Sequence, residues 1–301
     1  MNADILSFAY SIRVIIKQLK MKFRKTLAAM SLFVLAACIV SCDDDDDVQN
    51  PSVADVKLQT NEKLGKILTD KQGRTLYSFA LDVNGQAACS GDCIVKWPVF
   101  YKANPSLETG LDAADFGVIT RADGAKQSTY KGWPLYYFQG DAKAGDIKGD
   151  SVGGTWFTAK PDYSVALGKA QLVGKDGVKY TGKYVPGEEL TAFITDDYGR
   201  TLYQFSKDSF NINKYTLPDF SNDAVWPVYQ EAAVQNIPTI LKKVDFGVID
   251  VHGKKQLAYR GWALYYYGGD ESKRGNTKGV SVPTPGIWPV NNNGTLPAPE
   301  K

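Results

Sequence analysis

Histidine is all but missing from this chain: one residue, His252, serves 301 positions. A lone imidazole in a predicted exposed turn argues against histidine-rich metal centres, Cys-x-x-Cys-His haem attachment and Ser-His-Asp catalysis. Cysteine is scarce too, with four residues, and only Cys89 and Cys93 lie beyond the N-terminal region. Charge is not in excess. The formal net charge is +2, but residues 1–41 hold six Lys/Arg and one acid, which leaves 29 basic and 32 acidic residues beyond them. No basic stripe appears, so nucleic acid is not an expected partner. The apolar run over residues 26–40 is 15 residues long, shorter than a spanning helix requires. No helical periodicity of useful length follows residue 57. What the chain has in quantity is glycine (28) and tyrosine (17), a balance that favours strands and turns. Its length is enough to bury one sizeable core or two small ones.

The N-terminus reads as an address. Met21-Lys22-Phe23-Arg24-Lys25 is a short basic segment, residues 26–40 form the apolar segment, and Ile39-Val40-Ser41-Cys42 resembles a lipobox. Leu35-Ala36-Ala37-Cys38 has the same form, but Cys42 is followed at once by Asp43 to Asp47. We therefore expect residues 1–41 to be an N-terminal extension plus a lipoprotein signal peptide starting at Met21. Cys42 is the expected lipid attachment site, with Cys38 as the alternative. Residues 42–56 read as an acidic, flexible tether, since like-charge runs stay solvated. The acidic run also resembles the export signal that carries lipoproteins to the surface of Bacteroides-like cells. The membrane, reached through that lipid, is the one expected partner of definite kind, and the expected location is the outer membrane or cell surface.

Internal repeats decide the architecture. Leu-Tyr-x-aromatic-x-x-Asp occurs four times, at Tyr77, Phe79 and Asp82, at Tyr136, Phe138 and Asp141, at Tyr203, Phe205 and Asp208, and at Tyr265, Tyr267 and Asp270. A tryptophan follows each aspartate, Trp97, Trp156, Trp226 and Trp288, at gaps of 15, 15, 18 and 18 residues. In units one and three a turn glycine stands four residues before the tyrosine (Gly73, Gly199); in units two and four it stands twelve before (Gly124, Gly253). The extra length reads as one more strand and turn. The remaining tryptophans, Trp133 and Trp262, are 129 residues apart at equivalent points. These patterns predict an all-β fold of four hairpin or meander repeats in two pseudo-symmetric halves, residues 57–165 and 188–291. A hairpin or linker over 166–187 joins them, and a loose tail over 292–301 follows. Two tandem β domains and one small closed, propeller-like assembly both fit the pattern.

The motif and its spacing resemble the secreted-repeat lipoprotein family, defined by Tyr-x-(Phe/Trp/Tyr)-x-x-Asp. The resemblance runs over nearly the whole chain beyond the tether. It also covers the cysteine pair and Trp97-Pro98 after the first motif; the third unit keeps Trp226-Pro227 but lacks the cysteines. It implies an address and an architecture, not an activity.

Each candidate group has a structural reading beside its chemical one. Tyr and aromatic partners two apart share one face of a strand, as core or as a platform for a ring, sugar or haem. The motif aspartates sit past the strand end, where they accept turn amides or bind a ligand; no Asp/Asn-dense calcium loop is present. Cys89 and Cys93 in an exported chain read as a disulfide, with a redox dithiol or soft-metal site as alternatives. Residues 140–145 have phosphate-loop glycine spacing, but Asp146 stands where lysine is required. No metal site, cofactor or catalytic constellation is expected. The reading is a non-enzymatic binding or scaffold module for an unspecified small molecule, glycan or protein. The alternative is an accessory redox or cofactor-binding lipoprotein using the aromatic sites and the Cys89/Cys93 pair, and a hydrolase ranks below both.

Overall fold

Repeated turn chemistry sets the frame. At Asp70 the side chain accepts the amides of Gln72 and Arg74 through Oδ1, and Gly73 takes φ +78°, a left-handed conformation that glycine adopts without penalty. Asp196 and Gly199 (φ +83°) repeat the turn, with Oδ1 accepting from Tyr198 and Arg200. The structure is a computed structural model describing residues 53–301, which form one body. The expected signal peptide with its start at Met21, the expected lipid sites Cys38 and Cys42, and Asp43 to Asp47 lie outside the described residues.

In the first half β1 (Val56–Asn61) and β2 (Gly65–Asp70) form a hairpin. β3 (Tyr77–Phe79) follows the Asp70 turn and later pairs with β7 (Trp156–Thr158). A five-residue helix, α1 (Asp92–Lys96), leads into Trp97. Then β4 (Phe116–Thr120), β5 (Lys126–Tyr130) and β6 (Trp133–Pro134) make a three-stranded meander. The second half repeats this plan. β8 (Ala166–Val173) pairs with β10 (Leu190–Thr195), with the short β9 (Lys179–Tyr180) inserted between them in sequence. β11 (Phe246–Val251), β12 (Lys254–Tyr259) and β13 (Trp262–Ala263) form the second meander. The described chain is nearly all β, in small antiparallel sheets with no closed barrel.

The halves share their interior. One core cluster joins Val83 and Trp133 to Tyr203, Trp226 and Trp288; another joins Ala80 and Phe157 to Leu202, Leu257 and Leu264. Two further clusters belong to the first half alone. Among the described residues no helix is long and apolar enough to cross a membrane.

Three expectations are revised. Residues 166–173, assigned to the connection, form β8 and pair with β10 over six positions. Gly168, Lys169 and Gln171 break the apolar alternation that would have marked them as strand. The tether does not run to residue 56: Asp55 accepts from Ser106 and pairs with Lys102, and Val56 is buried. The tail over 292–301 is pinned rather than loose. Trp262 Nε1 donates to Leu296 O at 2.9 Å, Arg260 Nη1 to Asn293 O at 3.2 Å, and Phe210 N to Pro299 O at 2.8 Å. Polar sequence does not by itself free a terminus when neighbouring donors need its carbonyls.

Candidate functional site

The four motifs converge in pairs. Tyr77 and Tyr136 face each other, each amide donating to the other's carbonyl at 2.9 Å. Tyr203 and Tyr265 do the same at 2.8 and 2.9 Å. The side chains then exchange partners. Tyr77 Oη donates to Asp141 of the second motif at 2.7 Å, and Tyr136 Oη donates to Asp82 of the first at 2.7 Å. In the other half Tyr203 donates to Asp270 at 2.6 Å and Tyr265 to Asp208 at 2.9 Å. The second oxygen of each carboxylate accepts a backbone amide: Ala88 on Asp82, Lys148 on Asp141, Lys214 on Asp208 and Lys278 on Asp270. Both oxygens of every motif aspartate are therefore occupied. Each bond from a buried hydroxyl to a carboxylate contributes about 1.5–3 kcal/mol.

The aromatic residues complete the exchange. Trp97 and Trp156 stack at 3.7 Å between ring centroids, and Trp226 and Trp288 at 3.6 Å. The residue two after each tyrosine caps the partner unit's tryptophan: Phe79 on Trp156, Phe138 on Trp97, Phe205 on Trp288 and Tyr267 on Trp226. Each motif tyrosine stands edge-on to a tryptophan of its pair. The result is a four-ring stack in each half, buried at its centre. A side chain at Gly149 or Gly279 would put Cβ 2.8 Å from the ring of Tyr77 or Tyr203, so close approach of the backbone requires glycine there.

Burial acts on the carboxyls. Desolvation pushes Asp82 and Asp208 up to about 7 and Asp270 up to about 6, against the lowering effect of their amide and tyrosine donors. Asp141, less deeply placed, is raised for the same reason. The motif tyrosines, buried beside carboxylates, hold their protons far above the ordinary phenol range. The arrangement is a rigid internal knot: among the described residues no His/Cys/Asp/Glu cluster is disposed to hold a metal, and the platform faces point mostly at one another.

Cys89 and Cys93 form a disulfide, with Cys89 buried beside Tyr77, Trp97 and Trp156. The second half solves the same problem with hydrogen bonds. Trp97 N donates to Cys93 O and Trp226 N to Asn222 O, so Asn222 stands where Cys93 does. Asn222 Nδ2 donates to Tyr215 O at 2.7 Å, and Tyr215 occupies the Cys89 position with its ring edge-on to Trp288 at 4.8 Å.

Residues 59–101 and 117–160 each match a family model described as a secreted repeat of unknown function. Two segments of the first half are thus similar to secreted repeats. No curated protein and no solved structure matches the chain at a level that carries an argument. The matched segments contain the first two motifs with their tryptophans, the units that exchange Tyr77 and Tyr136. The second half lies outside the match but repeats the same bonds. The description of the repeat is consistent with an exported chain.

Other elements were missed. Arg74 bridges Asp70 and Tyr137, whose hydroxyl also donates to Asp70; Arg200, Asp196 and Tyr266 reproduce this. The recurring Asp-x-x-Gly-Arg string was the available signal. Arg274 had none. From the second half it reaches Val83 O at 2.8 Å and Lys131 O at 3.0 Å in the first, and lies over Trp133. A cavity of about 30 Å³ between the halves is lined by Tyr130, Trp133, Phe157 and Lys160, room for a water or two. The structure thus brings the motif residues together as framework, and leaves His252 apart in an exposed turn with Nε2 near Thr216 O.

Proposed function

We propose that this protein is a lipid-anchored envelope or cell-surface module that binds or scaffolds without catalysis. The observation that carries the reading is the inward commitment of the motif: every motif aspartate has both oxygens bonded within the fold, and the capping rings pack against tryptophans. A signature spent on rigidity suits a body whose loops present a surface. The address rests on the sequence. Ile39-Val40-Ser41-Cys42 followed by five aspartates supports lipidation at Cys42 and display at the outer membrane. Several acyl chains on one cysteine hold a protein firmly, whereas one holds it marginally. The surface partner is a small molecule, glycan or protein met outside the cell.

The test is mass spectrometry of the chain extracted gently from its own membrane, beside a Cys42→Ser variant. A lipid mass on Cys42, lost in the variant with release of the protein from the membrane, is the expected result. An unmodified Cys42 in a membrane-free protein overturns the reading. Protease shaving of intact cells then separates surface display from a position beneath the outer membrane.

A further inference from the structure

The two halves differ where their aromatic stacks meet the surface. In the first half the outer ring on Trp97 is Phe138 and the position beside Trp156 is the Cys89–Cys93 disulfide. In the second half both places hold tyrosine. Tyr267 packs on Trp226 at 4.5 Å, and Tyr215 meets Trp288 at 4.8 Å. Tyr215 is half-buried and is the more accessible of the two; Tyr267 is only 6% exposed, its ring reached through a cavity of about 210 Å³ that it lines with Arg200 and Tyr266. From either outer ring the path inward is short: Trp226 and Trp288 are 3.6 Å apart, Tyr203 lies 5.5 Å from Trp226, and Tyr265 lies 5.2 Å from Trp288. Six oxidisable rings are thus contiguous.

Tryptophan and tyrosine are readily oxidised side chains by one electron, and rings in contact exchange such a vacancy rapidly. Phenol oxidation needs more, because the oxidised phenol is a strong acid and must lose its proton as the electron leaves. Tyr203 and Tyr265 each have the required base already hydrogen-bonded: Asp270 Oδ2 at 2.6 Å and Asp208 Oδ2 at 2.9 Å.

We propose that the second-half stack is a relay for oxidising equivalents, carrying them from Tyr267 or Tyr215 through the Trp226–Trp288 pair to Tyr203 or Tyr265, with Asp270 or Asp208 as proton acceptor. The oxidant is an oxygen-derived radical, such as the carbonate radical, which gains one electron. Tyr203 loses one electron and its hydroxyl proton, which moves to Asp270 along the existing hydrogen bond. No bond between heavy atoms forms or breaks. A thiol or ascorbate reductant returns the electron, and the proton goes back to Tyr203. Burial that weakens the acidity of Asp208 and Asp270 makes each a better acceptor. The role is independent of membrane attachment, so Cys42→Ser leaves it unchanged.

The test exposes the full chain to photogenerated carbonate radical. Trapped radicals are read by electron paramagnetic resonance, and oxidation at each residue by peptide mass spectrometry. A tyrosyl radical and oxidation of the buried second-half stack in excess of the first-half stack are expected. Tyr267→Phe combined with Tyr215→Phe abolishes that excess. Asp270→Asn combined with Asp208→Asn, with folding checked by near-ultraviolet circular dichroism, converts the tyrosyl signal to a tryptophanyl one. If the carboxylate variant fails to fold, the Phe variants, which keep the rings, decide the matter. Oxidation that follows exposure alone, at Tyr101 and Tyr198 with both stacks spared, overturns the proposal. So does a second-half signal indifferent to the outer tyrosines.

Discussion

Replacing Tyr265 by Phe removes one hydroxyl and keeps the ring against Trp288. The loss falls on Asp208, which retains the Lys214 amide on Oδ1 but loses the 2.9 Å donor on Oδ2. At about pH 8 Asp208 is mostly ionised, since burial raises it to about 7. A hydrogen bond to a charged group is then lost, at about 2 kcal/mol. At about pH 5 the carboxyl is protonated, the bond is neutral, and the cost falls to about 1 kcal/mol. Urea unfolding of both proteins at the two pH values, extrapolated linearly, measures the difference. A double-mutant cycle with Asp208→Asn isolates the pair from effects on each residue alone. A cost that is equal at both pH values, or below about 0.5 kcal/mol at the higher one, refutes the claim that the exchanged bond is buried and charge-assisted.

Three further outcomes follow. Burial raises the Asp82 and Asp208 carboxyls to about 7 in the folded state, from an ordinary value of 3.8. The folded state therefore retains protons that the unfolded chain releases between those limits, and that stability is complete below 3.8 and is lost as pH rises through 7; thermal midpoints should be higher near pH 5 than near pH 8. Reducing the Cys89–Cys93 bond releases a very short loop and should cost about 2 kcal/mol, while Asn222→Ala, its second-half counterpart, should cost about 1 kcal/mol; denaturant midpoints compare them. Arg274→Ala removes two bonds between the halves, so amide exchange near Val83 and Lys131 should accelerate while exchange at Tyr77 and Tyr136 stays slow.

The sequence carried the fold class and the repeat pattern because both follow from local order: tyrosine and aromatic two apart, glycine at fixed turns, tryptophan at a fixed gap. It carried the motif aspartates as turn acceptors for the same reason, since Asp208 and Lys214 are neighbours. It carried nothing of the exchange. Tyr77 and Asp141 are 64 positions apart, and either aspartate of the pair would have satisfied the spacing. Arg274 was illegible for a different reason: it breaks the repeat, standing after Lys273 where the first half has Ala144 after Lys143, and a position unlike its equivalent carries no pattern. The pinned tail was misread because its carbonyls, not its side chains, make the bonds, and every residue, proline included, offers the same carbonyl.

A unit whose tyrosine must find its acceptor in a neighbour is half of a lock. One such unit expressed alone would leave its carboxylate without a hydroxyl and its tryptophan with one bare face. Two copies would satisfy each other across a dyad, much as the paired units do within one chain. The stable increment of this architecture is therefore the couple, and chains that lengthen by it should gain or lose units in even numbers.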